Sequence, residues 1–169
     1  MKKTFVLILV FLFTMGLFSG CSSGQPGQGG GSTRDYAELI RSLRSEEENQ
    51  VYPIITSPED SEYEITFATL GGTDENMERY AVSLGLMITQ AYGVVIVLPK
   101  EGTRQEVVDQ LNNYVELQKN AFENYLADQY QIAKAAIVKE METGEVVLVM
   151  SRNAEAVMQG IEDGLAGGA

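Results

Sequence analysis

Cys21 is the residue of this chain whose chemistry is most sharply defined by its neighbours. It is the only cysteine, and it follows an apolar run at residues 4–18 that two lysines precede. A basic start followed by an apolar stretch is the pattern of a secretory signal peptide. The small residues Ser19 and Gly20 allow a peptidase to approach the backbone. We therefore predict cleavage between Gly20 and Cys21, which places the thiol on a new N-terminal residue.

The segment LFSGC that ends at Cys21 resembles the lipobox of bacterial lipoproteins, in which the cysteine is diacylated. Two acyl chains give stable membrane attachment, at about 0.8 kcal/mol per buried methylene. We predict a signal peptide at residues 1–20 and a lipid anchor on Cys21 at the extracytoplasmic face of the cell membrane. A plain secretion signal and an uncleaved membrane helix are the alternatives. The apolar run of about 15 residues is shorter than the roughly 20 that a spanning helix needs.

The composition of the chain excludes several kinds of catalytic and metal site. There is no histidine, and the only cysteine is the predicted site of lipidation. A Ser-His-Asp triad, a Cys-His pair and a zinc site with histidine or cysteine ligands are therefore excluded. Ser-Lys chemistry, carboxylate catalysis and oxygen-ligated metals remain possible. We assign no catalytic residue, and we expect no metal site and no cofactor.

Two groups of polar residues could nevertheless form a site. Asp60, Glu62 and Glu64 could supply paired carboxylates for hydrolysis. In a chain with 24 acidic residues such groups also arise by chance, and a solvated face is the simpler interpretation. Ser151 and Arg152 follow an apolar run, where functional loops are common, and the alternative is the plain start of a helix.

Leu86, Met87 and Ile88 form a possible partner patch. They are consecutive apolar residues in a segment that connects two predicted strands. Apolar residues in a loop are exposed unless another part of the chain covers them. Packing beneath the N-terminal segment and contact with a partner are both open interpretations.

The charge of the chain limits its partners. The formal net charge is −12, and removal of the two lysines of the signal peptide makes it more negative. A nucleic-acid-binding domain needs a basic patch, so we expect no nucleic-acid partner. An anionic membrane surface would also repel the domain, which leaves the lipid anchor as the contact with the membrane.

The mature chain is organised as a tether followed by one domain. Residues 22–33 consist of glycine, serine, glutamine, threonine and one proline, and such a segment lacks the apolar groups needed for a packed core. We assign residues 21–33 to the lipidated cysteine and a flexible tether, and residues 34–169 to the domain. The predicted elements are helices at 35–47, 103–126 and from 153 onward, and strands at 80–86, 94–98, 132–140 and 145–150.

These elements predict an α+β fold. From residue 80 onward their order is ββαββα, and an N-terminal helix precedes them. Antiparallel strands with helices on one face form a two-layer sandwich. Thr103 with Glu106 is predicted to form a capping box, and Asn153 is predicted to cap the last helix. Gly144 supplies the positive φ of a hairpin turn.

The domain resembles the lipoproteins of the domain-of-unknown-function family DUF4358. The residues that carry the resemblance are ERYAVS at 78–83, GVVIVLPKEG at 93–102, QKNAFENY at 118–125, and the hairpin strands at 136–138 and 146–150. The similarity extends over roughly residues 63–165. It implies a fold, a lipid anchor and a surface location, but no activity and no catalytic residues.

The sequence therefore favours a non-catalytic binding or structural module at the cell envelope, with an envelope protein or a cell-wall component as a possible partner. A carboxylate-dependent hydrolase acting on cell-wall material is the alternative. A substrate-binding protein for transport usually has two lobes, and this chain is short for that architecture.

Overall fold

The computed structural model describes residues 34–167, in which six helices and four strands are found. The helices are α1 (Tyr36–Leu43), α2 (Glu46–Val51), α3 (Tyr63–Leu70), α4 (Arg104–Phe122), α5 (Ala127–Lys134) and α6 (Ala154–Ala166). The strands are β1 (Met77–Leu84), β2 (Gly93–Pro99), β3 (Ile137–Glu140) and β4 (Val146–Met150). No helix of the described part is both long and apolar enough to cross a membrane. Gly20, Cys21 and the predicted segments 1–20 and 21–33 lie outside the described residues.

The four strands form one antiparallel sheet in the order β1-β2-β4-β3. Leu84 pairs with Gly93, and Gly93 pairs with Met150. We call this the Gly93 end of the sheet. At the other end, which we call the Val146 end, Val97 and Glu140 both pair with Val146. The end of β1, the start of β2 and the end of β4 therefore meet at one edge of the domain.

Helices cover both faces of the sheet. Val95 and Val97 face a core built with α3, α4 and α5, whereas Val94 and Ile96 face a second core built with α1 and α6. The predicted α+β class and antiparallel sheet are confirmed, but the two-layer arrangement with helices on one face is wrong. The physical reason is visible in β2 and β4, since a continuous apolar strand needs cover on both faces.

The N-terminal helix ends earlier than predicted. It stops at Leu43, and Ser45 then caps α2 in a capping box with Glu48. The three glutamates at 46–48 occupy the first turn of α2, where the helix dipole favours negative charge.

The segment after α4 also differs from the prediction. Residues 127–134 form α5, so the predicted strand at 132–140 is reduced to β3 at Ile137–Glu140. Neither predicted side-chain cap is present. Thr103 Oγ1 donates to the carbonyl of Asn76 instead, at 2.8 Å, and Asn153 makes no capping hydrogen bond. The first turn of α6 is consequently left without a side-chain cap.

Residues 51–72, for which no structure was predicted, contain α3 and the short pairing of Ile55 with Val82. Gly71 ends α3 with a φ of 79°, a conformation that glycine adopts without strain. Gly144 has a φ of 111°, which confirms its predicted role in the hairpin turn.

Candidate functional site

A cleft of about 490 Å³ lies at the Gly93 end of the sheet. Its walls come from α2, the loop that precedes β2, α5, and the loop that joins β4 to α6. The polar and aromatic residues that line it are Ser45, Glu47, Glu48, Tyr52, Gln90, Tyr92, Gln129, Ser151, Arg152 and Asn153. This volume lies within the range of small-molecule sites, and ligand sites commonly combine apolar walls with a few polar groups.

Two stacked tyrosines and an arginine build one wall of the cleft. The rings of Tyr52 and Tyr92 are 3.7 Å apart between centroids and differ by 8° in orientation. Arg44, at the junction of α1 and α2, donates to the Tyr52 carbonyl at 2.8 Å and to the Tyr92 hydroxyl at 3.4 Å. It also donates to Ser83 Oγ at 2.8 Å, which ties this wall to β1. The wall is therefore fixed before any ligand binds.

Three charged side chains act on the hydroxyl of Tyr52. Burial raises the pKa of Tyr52, the carboxylates of Glu48 and Glu47 raise it further, and Arg152 lowers it. Burial also raises the pKa of Tyr92, against the opposing effect of its hydrogen bond from Arg44. Both phenols are thus protonated at neutral pH, and Tyr52 donates to Gln90 Oε1 at 3.0 Å.

Two buried side chains hold the loop that precedes β2 in place. Gln129 Oε1 accepts from the Ala91 N–H at 2.9 Å, and the Tyr114 hydroxyl donates to the Tyr92 carbonyl at 3.2 Å. Both side chains are buried, so these bonds are shielded from water. The floor of the cleft is consequently rigid, although it is made from loop residues.

The loop between β4 and α6 leaves polar groups free. Ser151 is only 7% exposed, and among the described residues its Oγ has no hydrogen-bond partner. Arg152 lies 3.9 Å from Asp128, but both side chains are mostly exposed, so this pair contributes little. The first helical N–H groups of α6 have no intrahelical acceptor. The structure thus places Ser151 and Arg152 at a cleft and directly before α6, and a functional role for this loop stays a prediction.

The predicted carboxylate group does not reach the cleft. Asp60 accepts from the N–H groups of Thr56 at 2.7 Å and Ser57 at 3.0 Å, so it stabilises a turn. Glu62 and Glu64 belong to the start of α3. Within residues 34–167, no group of three or more acidic side chains is arranged to hold a metal ion.

The possible partner patch is divided by the structure. Leu86 is partly buried against the core that the sheet forms with α3, α4 and α5, whereas Met87 is 55% exposed and Ile88 is 92% exposed. The loop continues into Gln90 and Ala91, which line the cleft. Met87 and Ile88 therefore lie in the loop that leads to the cleft, and their role in partner binding stays a prediction.

A second polar cluster lies at the Val146 end. Glu145 is buried and accepts from the Tyr36 hydroxyl at 2.8 Å and from Thr143 Oγ1 at 2.5 Å. Arg34 lies 3.6 Å from the same carboxylate, and Arg79 donates to the Tyr36 hydroxyl at 2.8 Å. Burial alone would raise the pKa of Glu145, but these hydrogen bonds and Arg34 together hold it below its usual value. This cluster joins α1 to the sheet.

Sequence reasoning missed most of the cleft because its parts are distant in the chain. Tyr52, Tyr92, Gln129 and Ser151 belong to four separate segments, and no local spacing connects them. The one available signal was the position of Ser151 directly after an apolar strand. The antiparallel pairing at the Gly93 end brings the start of β2 beside the end of β4, and α2 and α5 supply the other residues.

A known protein family matches part of the chain. The family model described as "Domain of unknown function (DUF4358)" matches residues 69–151, which run from the end of α3 to Ser151. Tyr52 and α6 lie outside this range, so the cleft combines residues within and outside the matched region. No curated protein and no solved structure matches the chain. The match supports the resemblance over residues 69–151, where the chain is similar to the DUF4358 family.

Proposed function

We propose that this chain is a membrane-anchored extracytoplasmic lipoprotein whose domain is a non-catalytic binding module at the cell envelope. The cleft at the Gly93 end is the observation that carries the proposal. It has a prebuilt aromatic wall, a fixed floor and free polar groups at the loop between β4 and α6. Prebuilt concave surfaces with a few unsatisfied polar groups are typical of ligand sites.

The position of the first described residue supports this arrangement. Arg34 contacts Glu145 at the Val146 end, whereas the cleft lies at the Gly93 end. The first residue after the predicted tether at 21–33 therefore lies at the end of the sheet remote from the cleft.

The chemistry of the cleft favours binding over catalysis. Ser151 Oγ has no neighbouring base among the described residues, no lysine lines the cleft, and the chain has no histidine. A serine nucleophile needs such a base. Glu48 already accepts from the Ser45 N–H at 2.9 Å, which leaves Glu47 as the uncommitted carboxylate of this wall. The alternative of a carboxylate-dependent hydrolase needs two carboxylates with separate roles.

Site-specific crosslinking in intact cells tests the proposed function. A photoreactive residue at Val51, which is 49% exposed and lines the cleft, should capture one defined envelope component. The matched control is Ile65, which is 54% exposed on α3 and lies outside the cleft. Capture should be lost with Tyr52→Ala. Identical products from both positions, or hydrolysis of captured wall material that stops with Glu47→Gln, would count against a binding module.

The anchor is tested separately. A Cys21→Ala variant should lose a metabolically incorporated labelled acyl chain and escape lipoprotein processing, because the modified atom is the cysteine sulfur. Unchanged labelling would refute the lipid anchor while leaving the cleft proposal intact.

A further inference from the structure

We propose that the cleft binds a zwitterionic ligand of the amino-acid type, either a free amino acid or a short peptide with free ends. The carboxylate of the ligand lies at the first turn of α6, and its ammonium group lies beside Glu47 on α2. This inference rests on the proposed function, because it assigns a ligand class to the same cleft.

The carboxylate position follows from three features of the loop between β4 and α6. The Oγ of Ser151 has less than 1 Å² of accessible surface and no partner among residues 34–167, so it lacks both solvent and protein acceptors. Rotation of one side-chain torsion directs such a hydroxyl to a new acceptor. A buried hydroxyl without an acceptor is unfavourable, and a ligand oxygen would relieve this cost.

The start of α6 adds donors at the same place. The helix has 13 residues and no side-chain cap at Asn153, and the first hydrogen bond into its backbone joins the Val157 N–H to the Asn153 carbonyl at 3.0 Å. The N–H groups of residues 154–156 precede that bond. Free N–H groups at a helix start bind anions, and the helix dipole strengthens this binding.

Arg152 supplies the positive charge. Its side chain is 74% exposed, and its separation of 3.9 Å from Asp128 indicates a weak ion pair. Asp128 also accepts from Gln129 Nε2 at 2.7 Å, so it has another partner when Arg152 turns to a ligand. A guanidinium group binds a carboxylate through two parallel hydrogen bonds, which suits a ligand with a free carboxyl end.

The ammonium position follows from α2. Glu47 is exposed, lines the cleft and makes no hydrogen bond or ion pair with the described residues. Glu48 is held by Ser45. The carboxylates of Glu47 and Glu48 would repel a purely anionic ligand, and the guanidinium group of Arg152 would repel a purely cationic one. A ligand with both charges satisfies both walls, and about 490 Å³ accommodates an amino acid or a short peptide.

Calorimetric titration of the full chain in detergent tests this assignment. The probes are alanine and trialanine, together with trialanine that is acetylated, amidated or blocked at both ends. We expect amidation to weaken trialanine binding at least tenfold, and acetylation to weaken it by a similar factor. Alanine that binds as tightly as trialanine would identify a free amino acid as the source of the ligand, whereas weaker binding of alanine would identify a peptide.

Variants locate each end of the ligand. Arg152→Gln should weaken binding by the same factor as amidation and should abolish the effect of amidation. Glu47→Gln should weaken binding by the same factor as acetylation and should abolish the effect of acetylation. Ser151→Ala should weaken binding of every peptide with a free carboxyl end. Arg104→Gln and Glu46→Gln are the matched controls, since these exposed residues lie outside the cleft. Each variant is first shown to retain the thermal midpoint of the unmodified chain.

Two results would overturn the inference. In the first, blocked and free trialanine bind equally, or Arg152→Gln retains the preference for the free carboxyl end. In the second, neither alanine nor any form of trialanine binds. Either result leaves the proposed binding function standing if Val51 still captures a defined envelope component. Loss of that capture, together with unchanged peptide selectivity, would instead remove the envelope role and keep the ligand assignment.

Discussion

The two ends of the sheet differ in how their most deeply buried polar side chain is paired. At the Val146 end, Glu145 is buried but accepts hydrogen bonds from Tyr36 and Thr143 and lies near Arg34, although the Nε of Arg34 itself has no partner among residues 34–167. At the Gly93 end, Ser151 is buried with no partner in the described part of the chain. A satisfied polar cluster stabilises a fold, whereas an unsatisfied group costs stability unless a ligand completes it. The comparison assigns a structural role to the first end and a binding role to the second.

The largest expected effect is at the Val146 end. Glu145→Ala should lower the free energy of unfolding by about 3 kcal/mol, because it removes one partner from a buried charged cluster. Ligand binding at the Gly93 end should be unchanged after correction for stability. Urea unfolding measures the first effect, and Glu142→Ala in the exposed turn nearby is the control. A loss similar to that of the control would show that the cluster is not structural.

The next largest difference in stability is expected between variants of two buried serines, Ser83 and Ser151. Ser83→Ala should cost about 2 kcal/mol, because Ser83 is fully buried and accepts a charged hydrogen bond from Arg44 at 2.8 Å. Ser151→Ala should leave the free energy of unfolding unchanged or raise it, because no partner is lost and an unsatisfied buried hydroxyl is removed. Urea midpoints of the two variants test the contrast directly. Equal losses would mean that the Ser151 hydroxyl is bonded in solution and that the Gly93 end is not open.

The pH dependence of stability sharpens the role of Glu145. Folding lowers the pKa of Glu145 below that of an ordinary glutamate side chain, so at pH values near that pKa the folded state binds fewer protons than the unfolded state. The stabilisation is present above about pH 4.5 and is lost as the pH falls through the lower, folded pKa. We expect Glu145→Gln to lose this part of the pH dependence, which lies below the ordinary pKa of a glutamate side chain.

Unfolding measured at several pH values in the unmodified chain and in Glu145→Gln isolates this contribution from that of the other carboxylates. Parallel curves for the two proteins would show that the pKa of Glu145 is not lowered by folding. The affinity for trialanine should be the same in the unmodified chain and in Glu145→Gln at each pH, because Glu145 lies at the end of the sheet remote from the cleft.

Much of the fold was predictable because the strongest patterns are local. The apolar runs of β2 and β4 and the turn at Gly144 predicted an antiparallel sheet, and the apolar stripe of α4 predicted a long helix. The packing of helices on both faces of the sheet was not predicted. An amphipathic stripe shows that one side of a helix is buried, but it does not show which face of the sheet that helix packs against. The continuous apolar character of β2 was the available clue.

The candidate site was less predictable for a related reason. Tyr52, Tyr92 and Ser151 have ordinary local surroundings in the sequence, and their combination depends on the register at the Gly93 end. The capping prediction at Thr103 failed because a tertiary hydrogen bond competes with the local one, and the prediction at Asn153 failed because its side chain makes no hydrogen bond to the first turn of α6. Thr103 uses its hydroxyl to reach Asn76, and the uncapped start of α6 became part of the cleft.

The smallest expected effect on stability is in the loop beside the cleft. Met87→Glu should change the free energy of unfolding by less than about 0.5 kcal/mol, because the side chain is 55% exposed. The same variant should abolish pull-down of an envelope partner if Met87 and Ile88 contact that partner. Leu117→Glu is the matched control, since Leu117 is 57% exposed on α4 and should retain the partner. Unfolding by Met87→Glu would place the loop in the core, and retained pull-down would restrict binding at the Gly93 end to the cleft itself.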